Sequence, residues 1–324
     1  MAKRFLATLA IAAMALTCSP ALAQAADAAN YPGNKTINIV CCYSAGGGVD
    51  SVARLVAKYM PDYLGNAIVT NVSGNAGRIG TQQVLDAVPD GYTLVFNDSN
   101  TDMLFAQGLT DYGLEAWEAY FIPGLSETAS ILVRDWNTIE ECIQWGKDNP
   151  RKLTVGVMTG GNIELQACAL FTQFDIKGKL IDVGGTAEQI AALAGGHVKM
   201  IPVPIGTARD YLATGEFKAI AMVTPERHPK YPDIPTLIEK GAEDWVYMPR
   251  YYYLGFPKGT GRGIIDKFGE ALKKIVADER FKADMAALEL TPKFYGGAEA
   301  EKLIADTHKV WLKYAEAVKA FKGK

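Results

Sequence analysis

Residues 37–59 read INIVCCYSAGGGVDSVARLVAKY, and this stretch decides the fold. Its apolar start at 37–41 predicts a β-strand, and the three glycines at 46–48 break that strand. Apolar residues then recur on one helix face, at Val52, Leu55, Val56 and Tyr59. Pro61 is expected to end this helix. A strand, a glycine-rich loop and a helix in this order predict the repeating unit of an open α/β sheet.

Strand and helix signals continue to alternate after this segment. Strands are predicted at 67–71 and 92–96, and a helix is predicted between them at about 81–87. This βαβ alternation predicts a mostly parallel sheet with helices on both faces.

The same unit occurs a second time. Residues 153–157 are an apolar strand candidate, the loop Thr159-Gly160-Gly161-Asn162 follows, and apolar residues recur at helical spacing over 163–174. Over a hundred residues separate the two units, so we expect them to begin two domains. The C-terminal part shows two amphipathic helix patterns, at 264–275 and 303–318.

Both glycine-rich loops precede a predicted helix, and this placement favours anion binding. The first turn of a helix has unpaired N–H groups and a partial positive charge. Glycine lets an anion approach the backbone closely, so carboxylates and phosphates bind there without lysine or arginine. Open α/β sheets bind ligands at the carboxyl ends of their strands, where both loops are expected. Two such loops therefore predict an anion site in a cleft between the domains.

Composition and motifs argue against several other classes of function. The chain has 324 residues, 49% of them hydrophobic, and a net charge of −3, which argues against a nucleic-acid partner. Its three histidines show no metal-binding spacing, and the sequence contains neither a P-loop nor a dinucleotide fingerprint. We therefore expect no catalytic residue, no metal and no cofactor. The cysteines at 41, 42, 142 and 168 are expected to be buried free thiols, although an exported protein is also permitted a disulfide.

The first 23 residues predict the compartment. A basic start at Lys3 and Arg4, an apolar run at 5–16 and the small residues Ala21-Leu22-Ala23 form the pattern of a secretory signal peptide over 1–23. The alternative is an N-terminal membrane anchor, but the apolar run is shorter than the roughly 20 residues that a membrane-spanning helix needs. We expect export to a periplasm of the Gram-negative type.

With these motifs in place, the chain resembles the Bug family, the substrate-binding proteins of tripartite tricarboxylate transporters. The resemblance covers essentially the whole mature chain and is carried by five segments. They are YSAGGGVDSVAR at 43–54, the glycines of 74–80 with PDGYTL at 89–94, TGGN at 159–162, GTAE at 185–188 with GGHV at 195–198, and Arg227 with PDIPTL at 232–237. Cys42, Val157 and Asp182 depart from the family pattern.

The resemblance implies a type II periplasmic-binding-protein fold, in which two doubly wound α/β lobes close over a central ligand cleft. Residues 31–127 and 251–324 are expected to form the first lobe, and 128–250 the second. The implied ligand is a small carboxylate, either an aromatic acid or a di- or tricarboxylate. The implied partner is a membrane transporter with a large and a small integral subunit. We expect a monomer that binds its ligand without chemistry.

The family pattern also implies where the ligand lies. One carboxylate is expected against the first loop, formed by Tyr43, Ser44, Ala45, Gly46 and Gly47. The same carboxylate is expected against the second loop, formed by Thr159, Gly160, Gly161 and Asn162. Asp182 is expected near the distal end of the ligand.

Further candidate site residues have two interpretations each. Asp50 is expected to accept N–H bonds at a helix start rather than touch the ligand, because it would repel a carboxylate. Asn75 and Asn97 follow strands and either bind a distal polar group or stabilise a turn. Arg250 either pairs with a second carboxylate or is a solvated surface residue. The tyrosines at 251–253 predict a half-buried strand or, alternatively, aromatic walls for a ring-bearing acid.

Two other functions are open at this point. The same fold serves equally as a ligand sensor for a membrane kinase, and the sequence does not separate sensing from transport. An exported hydrolase with Ser44 or Cys42 as nucleophile needs a positioned base, and no histidine lies near either glycine-rich loop in the sequence.

Overall fold

The computed structural model of the chain describes residues 29–243 and 250–322. The predicted signal peptide at 1–23 therefore lies outside the described residues. The described strands, in chain order, are β1 (Ile37–Cys41), β2 (Ala67–Asn71), β3 (Thr93–Asp98), β4 (Trp117–Ser126), β5 (Ala129–Val133), β6 (Thr154–Val157), β7 (Lys179–Asp182), β8 (Met200–Pro204), β9 (Lys218–Met222), β10 (Arg250–Pro257) and β11 (Thr291–Gly296).

The described helices surround these strands. They are α1 (Gly48–Tyr63), α2 (Arg78–Leu85), α3 (Asn100–Ala106), α4 (Ile139–Asp148), α5 (Asn162–Gln173), α6 (Thr186–Ala194), α7 (Arg209–Ala213), α8 (Arg262–Ala277), α9 (Glu279–Ala287) and α10 (Ala298–Lys322). No helix among the described residues has the length and apolar character that crossing a membrane requires.

The strands form two sheets, and each sheet is mixed. The first has the order β11-β4-β10-β3-β1-β2 and the second the order β7-β6-β8-β5-β9. Strand β1 is parallel to β2 and β3, and β6 is parallel to β7 and β8, as the βαβ pattern predicts. Strands β10 and β5 are antiparallel to both of their neighbours. The prediction of mostly parallel sheets was therefore wrong, because strands next to the two chain crossovers, β4 to β5 and β9 to β10, pair antiparallel.

The first predicted helix extends beyond its expected end. Pro61 lies inside α1, which continues to Tyr63. Proline lacks an N–H donor, but the N–H groups of later residues can still close the last turn. The Leu64 N–H donates to the Met60 carbonyl at 2.8 Å. The predicted end of this helix at Pro61 was wrong by two residues.

Each sheet packs against helices through an apolar core. In the first sheet, Phe121 stacks on Phe268 of α8 with ring centroids 6.3 Å apart, and its ring meets Phe256 edge to face. In the second, Val155 and Ile201 are fully buried within the cluster that includes Phe171 of α5. The division into two domains, with lobe boundaries at 127/128 and 250/251, stays a proposal.

The last helix, α10, contacts elements of both sheets. Its early residues, Ala300 and Ile304, belong to the apolar cluster of the first sheet. Its later residues, Trp311 and Tyr314, are buried against Leu165 of α5, which follows a strand of the second sheet. The C-terminal helix therefore packs against both halves of the molecule, on the side of α3 and α5.

The described cysteines are Cys41, Cys42, Cys142 and Cys168, and all four are buried free thiols, as predicted. Burial raises the pKa of the Cys142 thiol to about 12. These side chains act as small apolar core residues.

Candidate ligand-binding cleft

A cavity of about 420 Å³ lies between the two sheets. Loops that follow the carboxyl ends of strands form its walls. In the first half these are residues 43–49 after β1 and 73–77 after β2, and in the second half 161–163 after β6 and 185–189 after β7. This is the position at which open α/β sheets bind ligands.

Three helices begin at this cavity. The N-caps of α1, α5 and α6 are Gly47, Gly161 and Gly185, and none of them has a side-chain cap. Several first-turn N–H groups that line the cavity have no acceptor among the described residues, namely those of Gly48, Val49, Ile163, Thr186 and Ala187. Unpaired N–H groups and three helix dipoles therefore give the cavity a positive backbone potential.

Asp50 holds the first loop in place. Its carboxylate is buried and accepts hydrogen bonds from the Gly46 N–H at 2.9 Å, Asn71 Nδ2 at 2.8 Å and Arg54 Nε at 2.9 Å. Burial raises the pKa of Asp50, but the bonds from Arg54 and Gly46 lower it, and the net pKa lies below the ordinary value. This arrangement has the geometry of helix-start support, with the charge of Asp50 already paired.

A buried ion pair lies beside the cavity. Arg250 Nε donates to Asp98 Oδ2 at 2.6 Å, and Arg250 lines the cavity while Asp98 is fully buried. Burial lowers the pKa of the Arg250 guanidinium, but the adjacent Asp98 carboxylate raises it, and the net pKa lies above the ordinary value. Arg250 is thus neither a solvated surface residue nor a free cation.

A hydrogen-bond network connects this ion pair to both halves of the cleft. Tyr43 Oη donates to Asp98 Oδ1 at 3.2 Å, and Asn100 Nδ2 donates to Tyr43 Oη at 2.9 Å. Asn100 Oδ1 accepts the Asn162 N–H at 3.1 Å, which joins α3 to the start of α5. The two glycine-rich loops are therefore linked through Asn100.

Nine of the predicted contact residues line the cavity. They are Tyr43, Ser44, Ala45, Gly46, Gly47, Asn75, Gly161, Asn162 and Arg250. Asn75 has a left-handed backbone with φ of 51° and accepts hydrogen bonds from Arg78, so it also stabilises its turn. The ligand-binding role of each residue stays a prediction.

The other four predicted contact residues are not part of the cavity wall. Asn97 is buried on the opposite face of β3, where Nδ2 donates to Thr81 Oγ1 at 2.9 Å. Thr159 and Gly160 belong to the second loop but do not line the cavity, and the Gly160 N–H donates to Glu164 at 2.8 Å. Asp182 is exposed and accepts the Gly184 N–H at 3.3 Å. Asn97 therefore joins β3 to α2, and the bonds of Gly160 and Asp182 stabilise their own loops.

Sequence reasoning missed several lining or supporting residues, namely Asp98, Asn100, Thr186, Glu188 and Gln189. Asp98 is the last residue of β3 and Asn100 begins α3, so both lie at the strand end at which the same reasoning selected Asn97. The last three follow the Gly184-Gly185 pair after β7, which is a third strand, glycine and helix unit.

The three consecutive tyrosines of β10 are all buried, so the prediction of a half-buried strand was wrong. Strand β10 is central, between β3 and β4, and both of its faces are covered. None of the three lines the cavity described above, and Tyr252 lines an adjoining cavity of about 430 Å³. This second cavity shares Gly46–Gly48 and Arg250 with the first and is closed by residues of α7 and α9.

Comparisons with known proteins agree with this geometry. The family model described as the tripartite tricarboxylate transporter family receptor matches residues 52–319. The chain is 28% identical over 310 residues to the UPF0065 protein of the gbd 5′ region of Cupriavidus necator, covering 93% of this chain and 91% of that protein. It is 24% identical over 303 residues to BugT of Bordetella pertussis, covering 90% and 91%.

Solved structures show the same fold. A TctC solute-binding protein from Polaromonas is 26% identical with a TM-score of 0.68, and the match covers 90% of this chain and 99% of that one. The periplasmic binding protein BugD is 27% identical with a TM-score of 0.71, and the match covers 89% and 97%. The predicted periplasmic-binding-protein fold is thereby confirmed.

Proposed function

The chain belongs to the tripartite tricarboxylate transporter receptor family of periplasmic solute-binding proteins, and from this premise we propose that it captures a small carboxylic acid between its two sheets. The two halves act as lobes that close over the ligand. The closed form then delivers the acid to a transporter made of a large and a small integral membrane subunit.

The observation that carries this proposal is the group of unpaired N–H donors at the cavity. Donors from the first turns of α1, α5 and α6 face one volume of about 420 Å³. A carboxylate accepts several such hydrogen bonds and is stabilised by the helix dipoles. Two proteins that share the fold are described with bound acids, MatC of Rhodopseudomonas palustris with malate and the R. palustris protein Rpa4515 with adipate.

The described cavity favours binding over catalysis. No histidine is among its lining residues, so Ser44 has no imidazole base there. Cys42 is fully buried beside Thr81, and burial raises the pKa of its thiol well above the ordinary value. A buried neutral thiol is a poor nucleophile.

Thermal unfolding of the protein, stripped of bound ligand, tests the proposal against carboxylic acids and their neutral amides. An acid present at a hundred times its Kd stabilises the folded state by about 2.7 kcal/mol, which raises the Tm by several degrees. The matching amide lacks the charge and is expected to give no shift. Equal shifts with acid and amide, or none with any acid, would contradict the proposal.

The partner needs a separate test, because a sensor kinase would read the same closed form. Ligand-loaded protein is expected to stimulate uptake of that acid by membrane vesicles that contain both integral subunits. Binding to a kinase ectodomain without any stimulated uptake would favour the sensing alternative.

A further inference from the structure

The three helices that begin at the cavity share one local design. Each has glycine at the N-cap, a left-handed glycine just before it, and an acid three residues after it. The left-handed glycines are Gly46, Gly160 and Gly184, with φ of 83°, 78° and 98°. The acids are Asp50, Glu164 and Glu188.

In two of the three helices the acid accepts a hydrogen bond from the loop that precedes its own helix. The Gly46 N–H donates to Asp50 at 2.9 Å, and the Gly160 N–H donates to Glu164 at 2.8 Å. Both acids are buried, with only 2% and 3% of their surface exposed. Neither carboxylate lines the cavity.

The third helix, α6, departs from this design. The Gly184 N–H, which is the equivalent donor, is bonded to Asp182 Oδ1 at 3.3 Å. Glu188 is therefore left without that hydrogen bond, and its exposed side chain lines the cavity. No hydrogen bond or ion pair joins Glu188 to any other residue of the part of the chain that the structure describes.

The charge balance of the cavity makes this carboxylate significant. Among the described lining residues, Arg250 and Glu188 are the two that carry a charge. Arg250 is neutralised by Asp98, with Nε to Oδ2 at 2.6 Å. The uncompensated side-chain charge that faces the ligand is therefore negative, and it lies on the rim of a cavity whose backbone potential is positive.

We propose that Glu188 binds a cationic nitrogen of the ligand, so that the captured acid is a zwitterion such as an amino acid or an N-methylated amino acid. The ligand carboxylate lies against the N–H groups of α1 and α5, and its ammonium group pairs with Glu188 on α6. A second carboxylate on the ligand would be repelled by Glu188 and could not pair with Arg250, because Asp98 already neutralises that cation. This inference rests on the proposed carboxylate site and adds the second recognised group.

A matched panel of ligands tests the inference by calorimetry and thermal unfolding. The zwitterions are 2-aminobutyrate, 4-aminobutyrate, 6-aminohexanoate and phenylalanine. The acids without the amino group are butyrate, hexanoate and 3-phenylpropionate, and the dicarboxylates are succinate and adipate. Each zwitterion that binds is also tested in its N-trimethylated form, which keeps the positive charge but has no N–H donor. This comparison shows whether the ammonium group binds through hydrogen bonds or through its charge alone.

At least one zwitterion is expected to bind about 10- to 100-fold more tightly than its acid, the range expected for a charge-assisted hydrogen bond. The variant Glu188→Gln keeps the shape and removes the charge, so this preference is expected to disappear while the affinity for the plain acid stays or improves. Glu216→Gln removes an exposed charge after α7, away from the cavity, and serves as the matched control. The unliganded Tm of each variant reports its folding.

Two results would overturn the inference in distinguishable ways. If acids or dicarboxylates bind as well as the zwitterions, or if Glu188→Gln keeps the zwitterion preference, the carboxylate site stands and the role of Glu188 falls. If no compound in the panel binds but another carboxylic acid raises the Tm, the inference falls and the proposed function stands; if no acid raises the Tm, both fall.

Discussion

At the scale of single residues, the ion pair of Arg250 and Asp98 sets the charge at one side of the cavity wall. Asp98 is fully buried, and the side chain of Arg250 is 15% exposed. Removing one partner of such a pair leaves a buried charge without compensation, which costs far more than an exposed pair contributes. Removing the Asp98 carboxylate would leave Arg250 as a free cation in the cavity wall.

Asp98→Asn is therefore expected to lower the free energy of unfolding by about 3–5 kcal/mol. It is also expected to create affinity for dicarboxylates, because the second carboxylate then pairs with Arg250. Urea unfolding with and without succinate measures both effects. The control, Asp86→Asn, changes an exposed acid at the end of α2 and is expected to stay within about 0.5 kcal/mol of the wild type. A loss below about 1 kcal/mol for Asp98→Asn would mean that water solvates the guanidinium.

The same residues show where sequence reasoning reaches its limit. The sequence prediction placed a polar side chain at the end of the third strand in the site, and it selected Asn97. Successive side chains of a strand point to opposite faces, so Asn97 points to α2 and Asp98 points to the cleft. A shift of one residue in the strand assignment exchanges the side chains on the two faces. Only the three-dimensional register shows which of the two residues faces the cleft. The pairing of Arg250 with Asp98 spans 152 positions and has no local signal.

At the scale of elements, the strand, glycine loop and helix units were predictable, because local spacing determines them. Strand β2 was predicted with the observed bounds, and α5 begins within one residue of its predicted start. The antiparallel strands β5 and β10 were not predictable, because their direction depends on the path by which the chain crosses between the sheets. The different hydrogen bonding of Glu188 on α6 was not predictable either, because it depends on the acceptor to which the Gly184 N–H donates.

Asp182→Ala tests the comparison of the three helices directly. The Glu188 side chain already lies beside Gly184 and Gly185. Without Asp182 the Gly184 N–H becomes available, and Glu188 is expected to accept it as Asp50 and Glu164 do in their own helices. The preference for a zwitterion over its acid is then expected to fall by about the same factor as in Glu188→Gln, although the glutamate is still present.

A double-mutant cycle provides the control for this prediction. If Asp182 acts through Glu188, the double variant loses no more zwitterion affinity than Glu188→Gln alone. Asp148→Ala, an exposed acid at the end of α4, is the matched surface control. Additive losses in the double variant would mean that Asp182 contacts the ligand itself, as the sequence had suggested.

At the scale of the whole molecule, polar contacts join the two halves both at the cavity and around the end of α9. Asn100 is the connection that lies at the cavity, because one side chain bonds Tyr43 of the first loop and the Asn162 N–H of the second. Elsewhere α10 packs on α5, and Arg209 of α7 donates to the Ala287 carbonyl at 2.7 Å. If the lobes close over the ligand as proposed, this contact at the cavity is expected to form on closure and thereby to couple closure to ligand binding.

Asn100→Ala is therefore expected to weaken ligand binding about 2- to 10-fold, the equivalent of one hydrogen bond of about 0.5–1.5 kcal/mol. Because the other interlobe contacts are kept, the closed form is still reached, but only at higher ligand concentration. Small-angle scattering is expected to show the same final decrease in the radius of gyration for variant and wild type, with a shifted midpoint. Gln83→Ala on α2 alters an exposed side chain that has no hydrogen-bond partner in the described part of the chain, and it is expected to follow the wild-type curve. An unshifted midpoint for Asn100→Ala would mean that the bond to Asn162 is equally strong in the open form, and that closure is driven by the ligand and the loops alone.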